Sequence, residues 1–500
     1  MKSSLFVRQI IRFMAVAVAI AAANFVSVRE AHAIPSFARK YQASCQTCHT
    51  VYPVLNSFGE AFRRNGYRFP AKLGSLDSDS VKAPMLAMGQ DEYKKTFPNS
   101  VWPSQITESV PLSAWVLGGV SANMPASDAH DAAGNVFSWN GIVSEAHIFG
   151  AGSFSDTLTY MAQLTFAPDG VDIETGYLLW NDVVGPDHLV NIWIGRLFAP
   201  QLSSYGLHSS YLNDSYMPAI SIAGLYNPSG NFVVGQGHSD GIEVSGIAGH
   251  RVGYSLGSIA SLSTAGGLKV RNSEEVYAHI GVKLGGVSLD GEGADSEVAD
   301  AQRPWAETSL TIDAFAYHGM TSMDNGTNAP GVTGQNDKVN VVGGSLHANL
   351  GSLLMTGGVQ LEKHNRPYPG QPPTSANPPS QTQATQGSPD FSSATAVVQW
   401  DEIDFVVLPW LVPGVRTEYT RIDLAHTDGA GAASLLRVVP GIALLPRPNV
   451  KVTLLADFER AYGLPPTGSW GAAGGSVLAP VGDGSRFEAE TVSANLAWAF

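Results

Sequence analysis

From about residue 110 to the C-terminus, the chain is built from segments of roughly ten residues in which apolar positions alternate with polar or small ones. Leu158, Tyr160, Ala162, Leu164 and Phe166 share one face of such a segment, and Thr157, Thr159, Gln163 and Thr165 share the other. Val452, Leu454, Ala456 and Phe458 stand against Lys451, Thr453, Asp457 and Glu459. At the end of the chain Val492, Ala494, Leu496, Trp498 and Phe500 stand against Thr491, Ser493, Asn495, Ala497 and Ala499. A period of two is the pattern of strands whose two faces meet different surroundings. A soluble β-sandwich alternates equally well, but its polar face meets water and carries more Lys and Glu than these segments do.

The alternation predicts strands near 112–124, 142–153, 156–167, 174–182, 188–197, 239–248, 251–262, 274–284, 305–318, 338–349, 352–364, 393–400, 412–423, 433–444, 449–460 and 487–500. Sixteen is an even number, as a bacterial transmembrane barrel requires. The fold expected is therefore mainly β: an antiparallel transmembrane β-barrel of about sixteen strands. Connections mostly alternate between short turns and long loops such as 198–238 and 365–392, with 285–304 long where a short turn is due and 400–412 ambiguous. That parity places both the residue-111 end and Phe500 on the periplasmic side. Tyr368–Ser392 is rich in Pro, Ser, Gln and Thr and reads as disordered. The aromatic-rich 198–238 loop is a candidate to fold into the lumen, or equally a surface loop.

The first 33 residues differ. Lys2, Arg8 and Arg12 precede an Ala/Val-rich stretch from Phe13 to Val28, and Ala31-His32-Ala33 is a small-x-small cleavage pattern. This reads as a secretory signal peptide rather than a retained anchor, with the mature chain starting at Ile34. The whole chain has a formal charge of −14; residues 1–33 carry four basic residues against Glu30, or +3, so the remainder carries −17. With no basic stretch, nucleic-acid binding is excluded. No stretch after residue 33 is long and apolar enough for a spanning helix.

The only two cysteines lie in Cys45-Gln46-Thr47-Cys48-His49. This is the attachment pattern of a c-type haem: two thiols for the two vinyl groups of one porphyrin, then a histidine for the iron. A disulfide-redox motif wants a βαβ context, a structural zinc wants four ligands, and a bridge across a two-residue loop gains little entropy. The following residues read as a short helix over Pro53–Tyr67, with Pro53 at its first position and Gly66 past its end. Val54, Leu55, Phe58 and Phe62 make an apolar stripe, suited either to a haem face or to whatever the segment docks on. Met85 or Met88 is the nearest candidate for a sixth iron ligand, against the commoner packing role of methionine. The domains expected are a signal peptide (1–33), a small α-helical monohaem cytochrome c segment (34–109) and the barrel (110–500).

The run Ile34-Pro35-Ser36-Phe37-Ala38-Arg39, followed by Cys45-x-x-Cys48-His49-Thr50-Val51-Tyr52-Pro53-x-Leu55-x-x-Phe58-Gly59-x-x-Phe62-x-x-Asn65-Gly66-Tyr67, resembles the fused monohaem cytochrome c–porin family of the bacterial outer membrane. Its best-known members are iron oxidases. The resemblance covers the haem segment closely and the barrel by architecture alone. It implies Cys45 and Cys48 as covalent attachment sites of one haem c and His49 as iron ligand. It also implies outer-membrane electron transfer from an extracellular donor such as Fe(II) to a periplasmic cytochrome or other carrier, as an iron:cytochrome c oxidoreductase. Two other readings remain open: a diffusion porin carrying a haem plug or tethered carrier, and a soluble periplasmic cytochrome with a β-rich partner. No nucleophile elbow, phosphate-binding loop or EF-hand pattern is present.

Overall fold

The structure, a computed structural model, describes residues 36–37, 45–68, 112–125, 137–139, 143–155, 157–168, 170–185, 187–198, 211–212, 238–260, 275–292, 303, 305–323, 335–365, 394–424, 432–462, 470–471, 477–478 and 486–499. Residues 1–33, expected to be a signal peptide, and Met85, Met88, Phe500 and the Tyr368–Ser392 stretch lie outside the described residues. Two helical turns, α1 (Cys45–Cys48) and α2 (Ser57–Arg64), flank a small hairpin of β1 (His49–Val51) and β2 (Val54–Leu55).

The remainder is one closed antiparallel sheet. Its strands are β3 (Leu112–Pro125), β4 (Phe137–Trp139), β5 (Glu145–Ser153), β6 (Leu158–Ala167), β7 (Gly170–Trp180), β8 (Asn191–Phe198), β9 (His238–Ala248), β10 (Val252–Ile259) and β11 (Glu275–Gly285). They continue with β12 (Glu307–Met323), β13 (Gln335–Gly351), β14 (Leu353–His364), β15 (Ala394–Phe405), β16 (Leu411–Leu424), β17 (Ala432–Arg447) and β18 (Val450–Tyr462). A two-stranded ribbon of β19 (Trp470–Gly471) and β20 (Val477–Leu478) precedes the last strand, β21 (Arg486–Ala499), which closes the ring on β3 with Ala499 opposite Trp115. Strands β4 and β5 pair with successive stretches of β3, Val120 opposite Trp139 and Leu117 opposite Glu145, and so form a single stave. The wall thus has sixteen staves.

The barrel is inside-out. Ile280, Leu346 and Val359 are each half exposed or more on its outside, whereas their neighbours His279 and Ser345 are buried on the inside. Exposed Phe154, Trp180, Phe405 and Trp410 cluster at one rim, and Phe166, Phe458 and Tyr462 lie toward the other. An apolar band edged by aromatic residues is the lipid face of a transmembrane barrel, and it leaves no place for a soluble sandwich. The polar interior is richly paired: Arg416 sits 3.2 Å from Glu402 and 2.6 Å from Glu418, and Arg437 lies 3.3 Å from Glu418.

All sixteen predicted strands are present, with shifted ends. Strand β7 begins at Gly170 rather than 174, because a register shift opposite Gln163 and Leu164 breaks the alternation near Glu174. The ambiguous 400–412 stretch continues β15 to Phe405, with Glu402 and Asp404 buried on the lumen side. The start of β3, the turns after β5, β9, β13, β15 and β17, and Ala499 all lie at one rim, the short-turn end. The connection from Gly285 to Glu307 is also at this rim and is long where a short turn was due.

Candidate functional site

The C-x-x-C-H segment lies inside the barrel, across its short-turn mouth. Val51 and Val54 are buried among Tyr211, Trp305, Leu354, Val406, Val412, Ala443 and Leu445, which come from the wall, its turns and one loop. Further round the wall the Tyr52 ring stands edge-on to Trp115 of β3, 5.9 Å between centroids. Asn65 Nδ2 donates to the Asp290 carbonyl (2.9 Å), Tyr67 and Tyr177 share a hydroxyl hydrogen bond (2.8 Å), and Arg68 donates to Asp182 (2.9 Å). The residue-34 end is tied down too: Ser36 N–H donates to Ser113 Oγ (2.7 Å), and Phe37 stacks on Tyr67. Of the 198–238 loop, Tyr211 and Leu212 are described; both are buried in the lumen, with Tyr211 N–H donating to Glu402 (2.7 Å). At Tyr211 and Leu212 the chain thus lies in the lumen; the rest of that connection is outside the described residues.

The local fold differs from the predicted Pro53–Tyr67 helix. Pro53 follows a cis peptide in the hairpin turn, and Val54 and Leu55 pair back onto Val51 and His49. The helix starts at Ser57 because Asn56, with extended backbone, caps it: its Oδ1 accepts from Gly59 N–H (2.9 Å). At the other end Gly66 has φ +67°, as predicted for the residue past the helix, and Tyr67 N–H returns to the Phe62 carbonyl. The apolar stripe divides. Val54 joins the wall cluster, while Phe62 packs with Phe37, Phe58 and Tyr67.

Cys45 and Cys48 are unbridged and share one helical turn, with His49 next to it. Asn56 holds this turn against α2: its Nδ2 donates to the carbonyls of Gln46 and Thr47 (both 3.1 Å), and its N–H donates to the Cys48 carbonyl (2.9 Å). Sequence reasoning did not single out Asn56; the signal available was an Asn one residue before the helix. His49 Nδ1 lies 3.0 Å from the Pro53 carbonyl, which assigns the ring proton to Nδ1 and leaves Nε2 as the basic nitrogen. Burial pushes His49 down to about 4, so the imidazole is neutral as metal ligation requires. Burial pushes Cys48 up to about 12 and raises Cys45. A redox-active C-x-x-C instead lowers a thiol into the neutral range. Among the described residues no group of three His, Cys, Asp or Glu side chains converges as a metal site. The donor set thus fits a covalently attached haem.

No protein-family profile matches the chain, and no curated protein matches it. Among solved structures, the chain is similar to the anion-selective porin from Comamonas acidovorans, with 12% identity, a TM-score of 0.48, and coverage of 78% of this chain and 99% of that one. It is also similar to OmpT of Vibrio cholerae (10% identity, TM-score 0.44, 79% of this chain and 100% of that one). The outer-membrane channel DcaP of Acinetobacter baumannii is a third (10% identity, TM-score 0.42, 78% and 97%). The porin-like, outer-membrane type of this barrel stands on its own closed sheet, lipid face and turn lengths.

Proposed function

We propose that this protein carries one covalent haem c on its lumenal hairpin and passes single electrons across the outer membrane, from an external donor such as Fe(II) to periplasmic carriers. The observation that carries the reading is the Nδ1 contact of His49 with the Pro53 carbonyl beside two unbridged thiols on the preceding turn. Cys45 and Cys48 would hold the group through thioether bonds, and His49 Nε2 would ligate its iron; when bound, the group supplies a one-electron couple whose potential the ligand set and burial tune. The remaining residues position and exclude. Asn56 fixes the thiol-bearing turn, and Val51, Val54 and Tyr52 seat the hairpin against the wall. In outer-membrane barrels the short-turn rim faces the periplasm, so the hairpin would meet carriers there. In this reading the protein acts as an iron:cytochrome c oxidoreductase without needing a further catalytic side chain, and a sixth ligand from Met85 or Met88 would raise the potential.

A second reading, the diffusion porin, is favoured by the closed sixteen-stave wall and its polar lumen face. Haem-dependent peroxidase staining of the purified protein on a denaturing gel separates the two. A stained band, lost in Cys45→Ala/Cys48→Ala, supports the electron-transfer reading. An unstained band from cells that mature other c-type cytochromes would sink it and leave the porin.

A further inference from the structure

The long connection at the short-turn rim has a specific use. Between Gly285 and Glu307 it presents Val287, Leu289, Asp290 and Trp305, all buried, toward the C-x-x-C-H segment. At its end Glu307 collects five partners. Its Oε1 accepts from Ser57 Oγ (2.5 Å), Ser309 Oγ (2.6 Å) and Asn349 Nδ2 (3.0 Å) and lies 3.0 Å from Lys283 Nζ; its Oε2 accepts from Val287 N–H (2.9 Å). Lys283 Nζ also donates to Ser57 Oγ (2.7 Å). Ser57, the first residue of α2, is therefore gripped by both members of a buried ion pair on the wall. Gly286, at φ +57°, makes room: a Cβ there would sit 2.5 Å from Glu307 Oε2.

We propose that the Lys283–Glu307 pair is a latch that seats residues 45–68 in the mouth and keeps the barrel shut to solutes. The segment meets the wall on opposite sides, at Trp115 of β3, Tyr177 of β7, Glu307 of β12 and Val412 of β16, so that it spans the lumen. A charged pair is suited to such a latch. Its partners lose more when one of them is removed than an apolar contact would, because the other charge is left buried. The proposal does not depend on whether haem is attached.

Single-channel recording of the purified full chain in planar bilayers with potassium chloride tests it. The wild type rests in a closed level. Glu307→Gln leaves the Lys283 ammonium without its carboxylate, and Ser57→Ala removes the gripped hydroxyl without altering the wall. Each raises the open probability about tenfold or more, as a shift of one decade in a two-state equilibrium requires. Heat-modifiable gel migration identifies the variants whose barrel is folded. A wild type that conducts steadily, or folded Glu307→Gln and Ser57→Ala proteins that stay as closed as the wild type, would overturn the latch.

Discussion

Gly59 of α2 rests against the carbonyl of Cys48: a Cβ built on Gly59 would sit 2.1 Å from that oxygen and 2.9 Å from the carbonyl carbon. Both atoms are backbone and cannot swing aside. In an exposed helix Gly→Ala stabilises by about 1 kcal/mol. Here the sign reverses, because the added methyl prises α2 off the thiol-bearing turn. Gly59→Ala is expected to abolish covalent haem staining while the barrel keeps its heat-modifiable migration. An alanine variant that stains like the wild type would show that this approach does not matter.

Asn56 makes a smaller but more informative case. Asn56→Ala deletes the helix cap and both side-chain bonds to Gln46 and Thr47, a loss of about 2 kcal/mol from the segment. Asn56→Asp keeps the cap acceptor and loses the two donors, and is expected to fall between. Limited proteolysis of the segment, read as cleavage rate between residues 45 and 68, should rank wild type, Asp and Ala in that order.

The two faces of one strand should answer oppositely to the same change. Ile280 at the centre of β11 faces lipid, and Ile280→Arg is expected to destabilise by about 2–4 kcal/mol in lipid vesicles, as a cation at the midplane does. Ser345→Ala, on the lumen face of β13, should change stability by less than about 1 kcal/mol. Equal effects in urea unfolding would contradict the inside-out assignment.

Acid should loosen the seat of the segment. Burial alone would raise Asp182, but the His188 backbone N–H and the Arg68 guanidinium outweigh it and hold the carboxyl below its usual range. Burial of Asp290 is likewise outweighed by the Glu292 N–H, His250 and Ser288. A carboxylate depressed in the folded state contributes stability that is fully present above its unfolded value, about 4, and is lost as pH falls through the folded value. Proteolysis of residues 45–68 by an acid-active protease should therefore accelerate below about pH 4, and Asp182→Asn should be accelerated already at neutral pH.

The barrel was legible in the sequence because a period of two is local and repeats sixteen times. It faltered where a local rule broke. The register shift near Glu174 hid the start of β7, and the charged lumen residues Glu402 and Asp404 left the end of β15 ambiguous. Pro53 misled the helix prediction, because the stronger start signal was the side chain of Asn56 three residues on. The three residues Cys45, Cys48 and His49 stood out by spacing alone. Where they sit did not, since the contact that seats them joins Ser57 to Glu307 across 250 positions, and no window along the chain registers that.

In the proposed function the lumenal hairpin carries a haem that exchanges electrons with the outside. Stopped-flow absorption of intact cells, given Fe(II) under conditions in which it stays outside, tests it most directly. A reduced c-type spectrum is expected to appear and to be lost in Cys45→Ala/Cys48→Ala. A c-type spectrum that stays oxidised with every membrane-impermeant reductant, yet is reduced by dithionite after lysis, would contradict it.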